Sequence, residues 1–314
     1  MRQASFVGAL SNNIILASYD DRPDGGDSPS PNSILQRRST DNGATWDEPT
    51  FIAQGQIKSP TALQYGFSDP SYIHDRETGK VFNFHVFSKD QGFLGGVLGN
   101  DDTNRNVISS EVSVSTDKGL TWSTDPSNQP NPPPPPPPPL LLPLARSLLD
   151  NGGDTWQMGK PIGKGMDENK VVELSNGTLM VNSRPGDGSQ HRIIALSYDG
   201  GETYGTPRIE AQLPDPTNNG AITRAYPDAT QGSAETKVLL FTNANSKSAR
   251  VNGTIRYSCD DGNTWSPGKV FRAATTSYST VTAIDDGKFG LFFEAANNHL
   301  QFVALIKEWM GISC

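Results

Sequence analysis

The sequence predicts an all-β chain of propeller type, and three observations predict it. Its 314 residues include 31 Gly and 24 Pro, a turn-rich composition. Hydrophobic residues make up only 34% and charged residues 19%, so Ser, Thr, Asn and Gln supply the polar balance, as they do in turns and strand faces rather than amphipathic helices. An octet of the form Ser-x-Asp-x-Gly-x-Thr-Trp also recurs along the chain. It stands at Ser39, Asp41, Gly43, Thr45 and Trp46, and again at Ser115, Asp117, Gly119, Thr121 and Trp122. The third copy is Ser197, Asp199, Gly201, Thr203 and Tyr204, and the fourth is Ser258, Asp260, Gly262, Thr264 and Trp265.

The elements follow in order. A β-rich run, Ile14 to Ala17, precedes the first octet, and Val81 to Phe87 precedes the second. Next comes Pro130 with the unbroken run Pro132 to Pro139, which cannot donate strand hydrogen bonds and has polyproline II as its only regular form. Residues 128–149 are therefore read as a low-complexity interruption within a single domain spanning 1–314. A degenerate octet follows at Leu149, Asn151, Gly153, Thr155 and Trp156. Further runs are Leu179 to Val181, Arg192 to Leu196, Val238 to Phe241 and Phe289 to Phe293. In each octet Asp is suited to bond amides two residues on, Gly supplies positive φ, and Thr-Trp resumes a strand with an apolar anchor. Spacings between octets bracket the ~40–50 residues of a four-stranded propeller blade.

Composition also bounds the partners. A net charge of −8 and a pI near 5.0 argue against a nucleic-acid partner. Cys259 and Cys314 are too few for a disulfide framework and leave both a single bridge and free thiols open. His74, His85, His191 and His299 are scattered rather than set at metal-ligand spacing, so no metal is expected. No apolar run reaches the ~18 residues of a membrane span, and MRQASFVGAL lacks the apolar stretch of a signal peptide.

The octets are Asp-boxes, and segments such as ASYDDRP, PNSILQRRSTDNGATW, GFSDPS, FNFHVFS, GMDENK, LPDPTNN, GTIRYSCDDG and SYST resemble the bacterial-type exo-α-sialidases (neuraminidases). The resemblance covers nearly the whole chain outside 128–149. It implies a six-bladed β-propeller with one blade incomplete, acting on terminal α-linked sialic acid of glycoproteins, glycolipids or oligosaccharides, with retention and without a cofactor. It also implies a secreted protein and a monomer. A sialoside bears a carboxylate on its anomeric carbon, which repels a carboxylate nucleophile, and sialidases use Tyr instead. A neutral Tyr needs a base beside it, and the substrate carboxylate needs cations, for which the planar fork of Arg is suited.

By resemblance, Tyr278 in SYST is the nucleophile, Glu168 in GMDENK its base and Asp27 in GGDSPSPNS the general acid/base. Arg184 in VNSR and Arg256 in GTIR match two of three carboxylate-binding arginines. Arg22 and Asp69 match the pair contacting the sugar 4-hydroxyl, Val86, Phe93 and Ile108 the apolar pocket for the N-acetyl methyl, and Glu294 in LFFE the carboxylate that orients the first arginine. The Tyr/Phe-Arg-Ile-Pro motif carrying that first arginine is missing, and Arg2 is the surrogate. The chain is accordingly expected to be truncated at its N terminus and interrupted near residue 140. The competing reading is an impaired or non-catalytic Asp-box propeller that binds sialoglycans or proteins.

Overall fold

The protein is described from a computed structural model over residues 2–10, 13–93, 95–99, 101, 103–124, 145–146, 157–158 and 162–314. The proline run and the degenerate octet lie outside the described residues. The chain divides into two compact units, the first taking in β1–β11 below and the second running from β12 to the C terminus.

In the first unit, β1 (Arg2–Leu10), β2 (Ile14–Asp21), β3 (Ser33–Ser39) and β4 (Thr50–Ala53) form one antiparallel sheet in sequence order. A second sheet pairs β5 (Gly66–His74) with β6 (Val81–Ser88) and β6 with β8 (Val107–Ser115). Strand β7 (Val97–Leu98) joins β8 in parallel, and β9 (Ser123–Thr124) joins it antiparallel. Two short strands, β10 (Ala145–Arg146) and β11 (Gln157–Met158), make a two-stranded sheet, and this is where a full blade is lacking among the described residues.

The second unit opens with a four-stranded sheet of β12 (Met166–Glu173), β13 (Leu179–Pro185), β14 (His191–Ser197) and β15 (Arg208–Pro214). Next come β16 (Ala221–Arg224), β17 (Leu239–Ala244), β18 (Val251–Ser258) and the long β19 (Lys269–Asp285). Strand β19 serves two sheets. Its first half, as far as Thr275, pairs with β18, and from Thr276 it pairs with β20 (Lys288–Ala295), which in turn pairs with β21 (His299–Ile306). One helical turn, α1 (Lys307–Met310), follows. No helix among the described residues is long and apolar enough to cross a membrane.

Inner strand β17 is apolar on both faces because its sheet is packed between two others. Leu239 and Phe241 of β17 join a core with Met180, Ile194 and Leu213, whereas Leu240 between them faces Ile255, Phe289 and Leu291. This two-sided burial explains why such strands read as continuous apolar runs. In the first unit Leu16, Ile34, Ile52, Phe67 and Val81 form the corresponding core.

All four complete octets begin on the last residue of a strand (β3, β8, β14, β18) and adopt one hydrogen-bond pattern. In the first, the Ser39 hydroxyl donates to Asp41 Oδ1 (2.8 Å) and accepts from the Gly43 amide (2.8 Å). The Thr45 amide and hydroxyl donate to the two Asp41 oxygens (2.9 and 2.6 Å). The other three octets repeat this. These bonds, led by that of the Thr45 hydroxyl, pull the Asp41 carboxyl down to about 2, and Thr203 does the same for Asp199. Octets also fasten sheets together. Gln36 on β3 donates to the Gly119 carbonyl (2.7 Å), and a Cβ on Gly119, at φ 80°, would lie 2.8 Å from Leu16, so only glycine allows this approach. Likewise Asp261 accepts from the amide and hydroxyl of Ser175 (2.9 and 2.6 Å) at the β12–β13 turn.

Candidate active site

Three β-bulges place the chemistry-bearing side chains. In each, two residues on the first strand of a sheet oppose one residue on the second. On β12 the register runs from Met166↔Pro185 to Asn169↔Ser183, so Asp167 and Glu168 both face Arg184. On β19 it runs from Thr276↔Ala295 to Ser279↔Phe293, so Ser277 and Tyr278 face Glu294. On β5 it runs from Ser68↔Val86 to Ser71↔Phe84, so Asp69 and Pro70 face His85. A bulge re-aims side chains that a regular pleat would alternate, which is how adjacent residues come to serve one site.

In the second unit these bulges bring Tyr278, Glu168 and Arg184 together. The Tyr278 hydroxyl donates to Glu168 Oε1 in a very short hydrogen bond. Arg184 Nη1 donates to the same Glu168 oxygen (3.0 Å) and to the Tyr278 oxygen (2.9 Å), and its Nε lies 3.3 Å from Asp167. The second oxygen of Glu168 accepts from Asn219 (2.8 Å). Burial raises the Asp167 carboxyl, with Arg184 opposing the shift and Glu168 adding to it. The Arg184 guanidinium is held above its usual value by Glu168, Tyr278 and Asp167, which together outweigh the larger opposing effect of its burial. Chemically, this is a phenol whose proton has a carboxylate to go to and whose developing negative charge has a cation at hand.

Two further expected residues are in the same unit. Glu294 accepts from the Tyr278 amide (3.4 Å) and is thereby tied to the β19 bulge. Arg256, on β18, stands apart: it is buried, its Nη2 donates to Asn245 (3.0 Å), and none of its hydrogen bonds reaches Tyr278, Glu168 or Arg184. Arg250, which sequence reasoning passed over, lies instead with its guanidinium carbon 5.5 Å from the centre of the Tyr278 ring. An exposed arginine in a Ser-rich loop carries no local signature, so nothing in the sequence singles it out.

In the first unit Arg22 is buried and donates to the fully buried Asp20 (3.0 Å), while Asp27 is 3.3 Å from the same guanidinium. Asp27 itself is open to solvent on its loop, its side chain 77% exposed. The amide of Asp69, at φ 57°, donates to Asp20 (3.2 Å). Asp20 thus organises the expected group of Arg22, Asp27 and Asp69, and its place two residues before Arg22, at the end of β2, is the signal that could have found it. Burial first, then the charge of Asp69, pushes the Asp20 carboxyl well up. Of the expected apolar pocket, Val86 and Ile108 are half-buried on β6 and β8, and Phe93 is 60% exposed. Arg2 opens β1 in register with Asp21, and its side chain lies outside the described residues.

Comparison with known proteins fits this arrangement. Residues 143–291 match the BNR repeat-like domain family. A sialidase of Micromonospora viridifaciens is 46% identical over 96% of this chain and 50% of its own length, and one of Bacteroides fragilis is 26% identical over 85% and 55%. The chain therefore spans about half the length of these relatives. Among solved structures, a Hadza microbial sialidase superposes with a TM-score of 0.82 at 20% identity, covering 98% of this chain and 66% of its own. The intramolecular trans-sialidase of Ruminococcus gnavus superposes with a TM-score of 0.73 at 16% identity, covering 100% and 95%. With its Asp-boxes, its stacked antiparallel sheets and this kinship in sequence and fold, the chain is a homologue of the bacterial sialidases, built on their β-propeller fold.

Proposed function

We propose that the protein is an exo-α-sialidase that hydrolyses terminal α-linked sialic acid from glycoconjugates with retention, through a tyrosyl-glycosyl intermediate. The observation that carries this reading is the Tyr278–Glu168–Arg184 cluster, because a binding module has no need of a phenol bonded to a base. In the first step the Tyr278 oxygen attacks the anomeric carbon as its proton passes to Glu168. The bond to the leaving oxygen breaks, and Asp27 supplies that oxygen with a proton. In the second step water gives a proton to Asp27 and attacks the same carbon, and Tyr278 departs, regaining its proton from Glu168. Two inversions give net retention. Arg184 and Arg250 supply positive charge beside the nucleophile, where the substrate carboxylate is to be bound, and Arg256 is the further cation that the family resemblance nominates.

The test is release of a fluorogenic aglycone from an α-sialoside by the purified chain. Wild type is expected to turn over and Tyr278→Phe to lose at least about 10³-fold in kcat. Undiminished turnover by folded Tyr278→Phe overturns the tyrosyl intermediate, and a folded wild type that binds sialoside without turnover overturns the enzyme reading. Proton NMR of the first-formed sugar anomer decides retention.

A further inference from the structure

Between β15 and β16, residues 215–219 (Asp-Pro-Thr-Asn-Asn) reach the Tyr278 cluster at three points. Asn219 donates to Glu168 Oε2 (2.8 Å). Asn218 donates to the carbonyl of Ser277, the residue before Tyr278 (2.7 Å). The Thr217 carbonyl accepts from Arg250 (3.4 Å). Thr217 has φ 61°, a conformation that a β-branched residue keeps only where its surroundings enforce it.

The enforcing element lies beneath the loop. Arg192 and Asp215 are both fully buried and 3.3 Å apart. Arg192 also donates to the Asn218 carbonyl (2.8 Å) and to Asn182 Oδ1 (2.7 Å). Asp215 accepts from the Asn218 amide (2.6 Å) and from Asn243 (3.0 Å). Burying an ion pair costs desolvation on both sides, and apolar residues of similar volume often stabilise a fold as well or better. What this pair adds is a loop held through the amide and carbonyl of Asn218, the residue next to Asn219.

We infer that Arg192 and Asp215 are positioning residues for the Glu168–Tyr278 pair, acting through Asn218 and Asn219. Asn219 takes one oxygen of Glu168, so the other is presented to the Tyr278 hydroxyl. Asn218 fixes the backbone entering Tyr278. Adjacent side chains on one rigid loop thus set the separation of two residues that stand far apart in sequence. The inference rests on the nucleophile and base assigned under Proposed function.

Its test joins kinetics to a readout that needs no turnover. Asn219→Ala and Asn218→Ala are expected to lower kcat about 10- to 100-fold while KM stays within about threefold, as for a misplacement near 1 Å. In parallel, the ¹³Cζ resonance of labelled Tyr278, assigned by its loss in Tyr278→Phe, should shift in Asn219→Ala. Asp215→Asn, if folded by circular dichroism, should reproduce these changes and be non-additive with Asn219→Ala; if it does not fold, the two asparagine variants decide. Unchanged kcat and ¹³Cζ resonance in both asparagine variants overturn the inference. If Tyr278→Phe keeps its turnover, the nucleophile reading fails separately, and the ¹³Cζ shift still decides whether the loop sets the pair.

Discussion

One guanidinium, that of Arg184, touches the proposed nucleophile, its base and the neighbouring Asp167. Lysine carries the charge but lacks the fork, so Arg184→Lys is expected to raise KM and lower kcat, each by about tenfold or more, whereas Arg250→Lys should act chiefly on KM. Steady-state kinetics on the sialoside separates the two. Asp215→Ala leaves Arg192 an uncompensated buried cation and should destabilise the fold by about 3–5 kcal/mol, read by urea unfolding. At this scale the sequence is only partly legible. Tyr278 and Glu168 stand out through long matching segments, since a Tyr between serines has no chemical signature of its own. The burial of Asp20 beneath Arg22 depends on how β2 packs, and Arg250 becomes visible only when the chain folds back over the Tyr278 ring.

Octets and bulges are the two recurrent devices of the elements, and they differ in legibility. An octet closes its hydrogen bonds within a few residues, so Ser39, Asp41, Gly43 and Thr45 spell the turn out locally. A bulge depends on the register of a partner strand, so nothing in GMDENK or SYST announces that Glu168 and Tyr278 each lie in one. The octets carry a prediction about acid. Because the Asp41 and Asp199 carboxyls are held at about 2 when folded, below the ~3.8–3.9 of an unfolded Asp, they stabilise the fold fully above pH ~4 and lose that contribution as pH falls toward 2. The thermal midpoint should therefore drop between pH 4 and 2, and drop less steeply in an Asp41→Asn/Asp199→Asn variant, measured by circular dichroism.

For the whole molecule, the repeat architecture was legible because the octets punctuate it, and the division into two units falls at the proline-rich interruption of the sequence. The sequence left the pairing of Cys259 and Cys314 open. The structure joins them in a disulfide that ties the C terminus to the fourth octet across 55 residues. Removing it with Cys314→Ser should cost roughly 4 kcal/mol by loop-closure entropy, seen as a lower denaturant midpoint that matches the reduced wild type. Strand β19 has a different consequence. Repeated octets suggest interchangeable cassettes, of the kind that duplication and recombination add or delete in repeat proteins. Here one strand is the outer member of one sheet and the inner member of the next, and Tyr278 follows closely on the changeover at Thr275 and Thr276. No crossover can excise either sheet whole without cutting the strand that bears the proposed nucleophile.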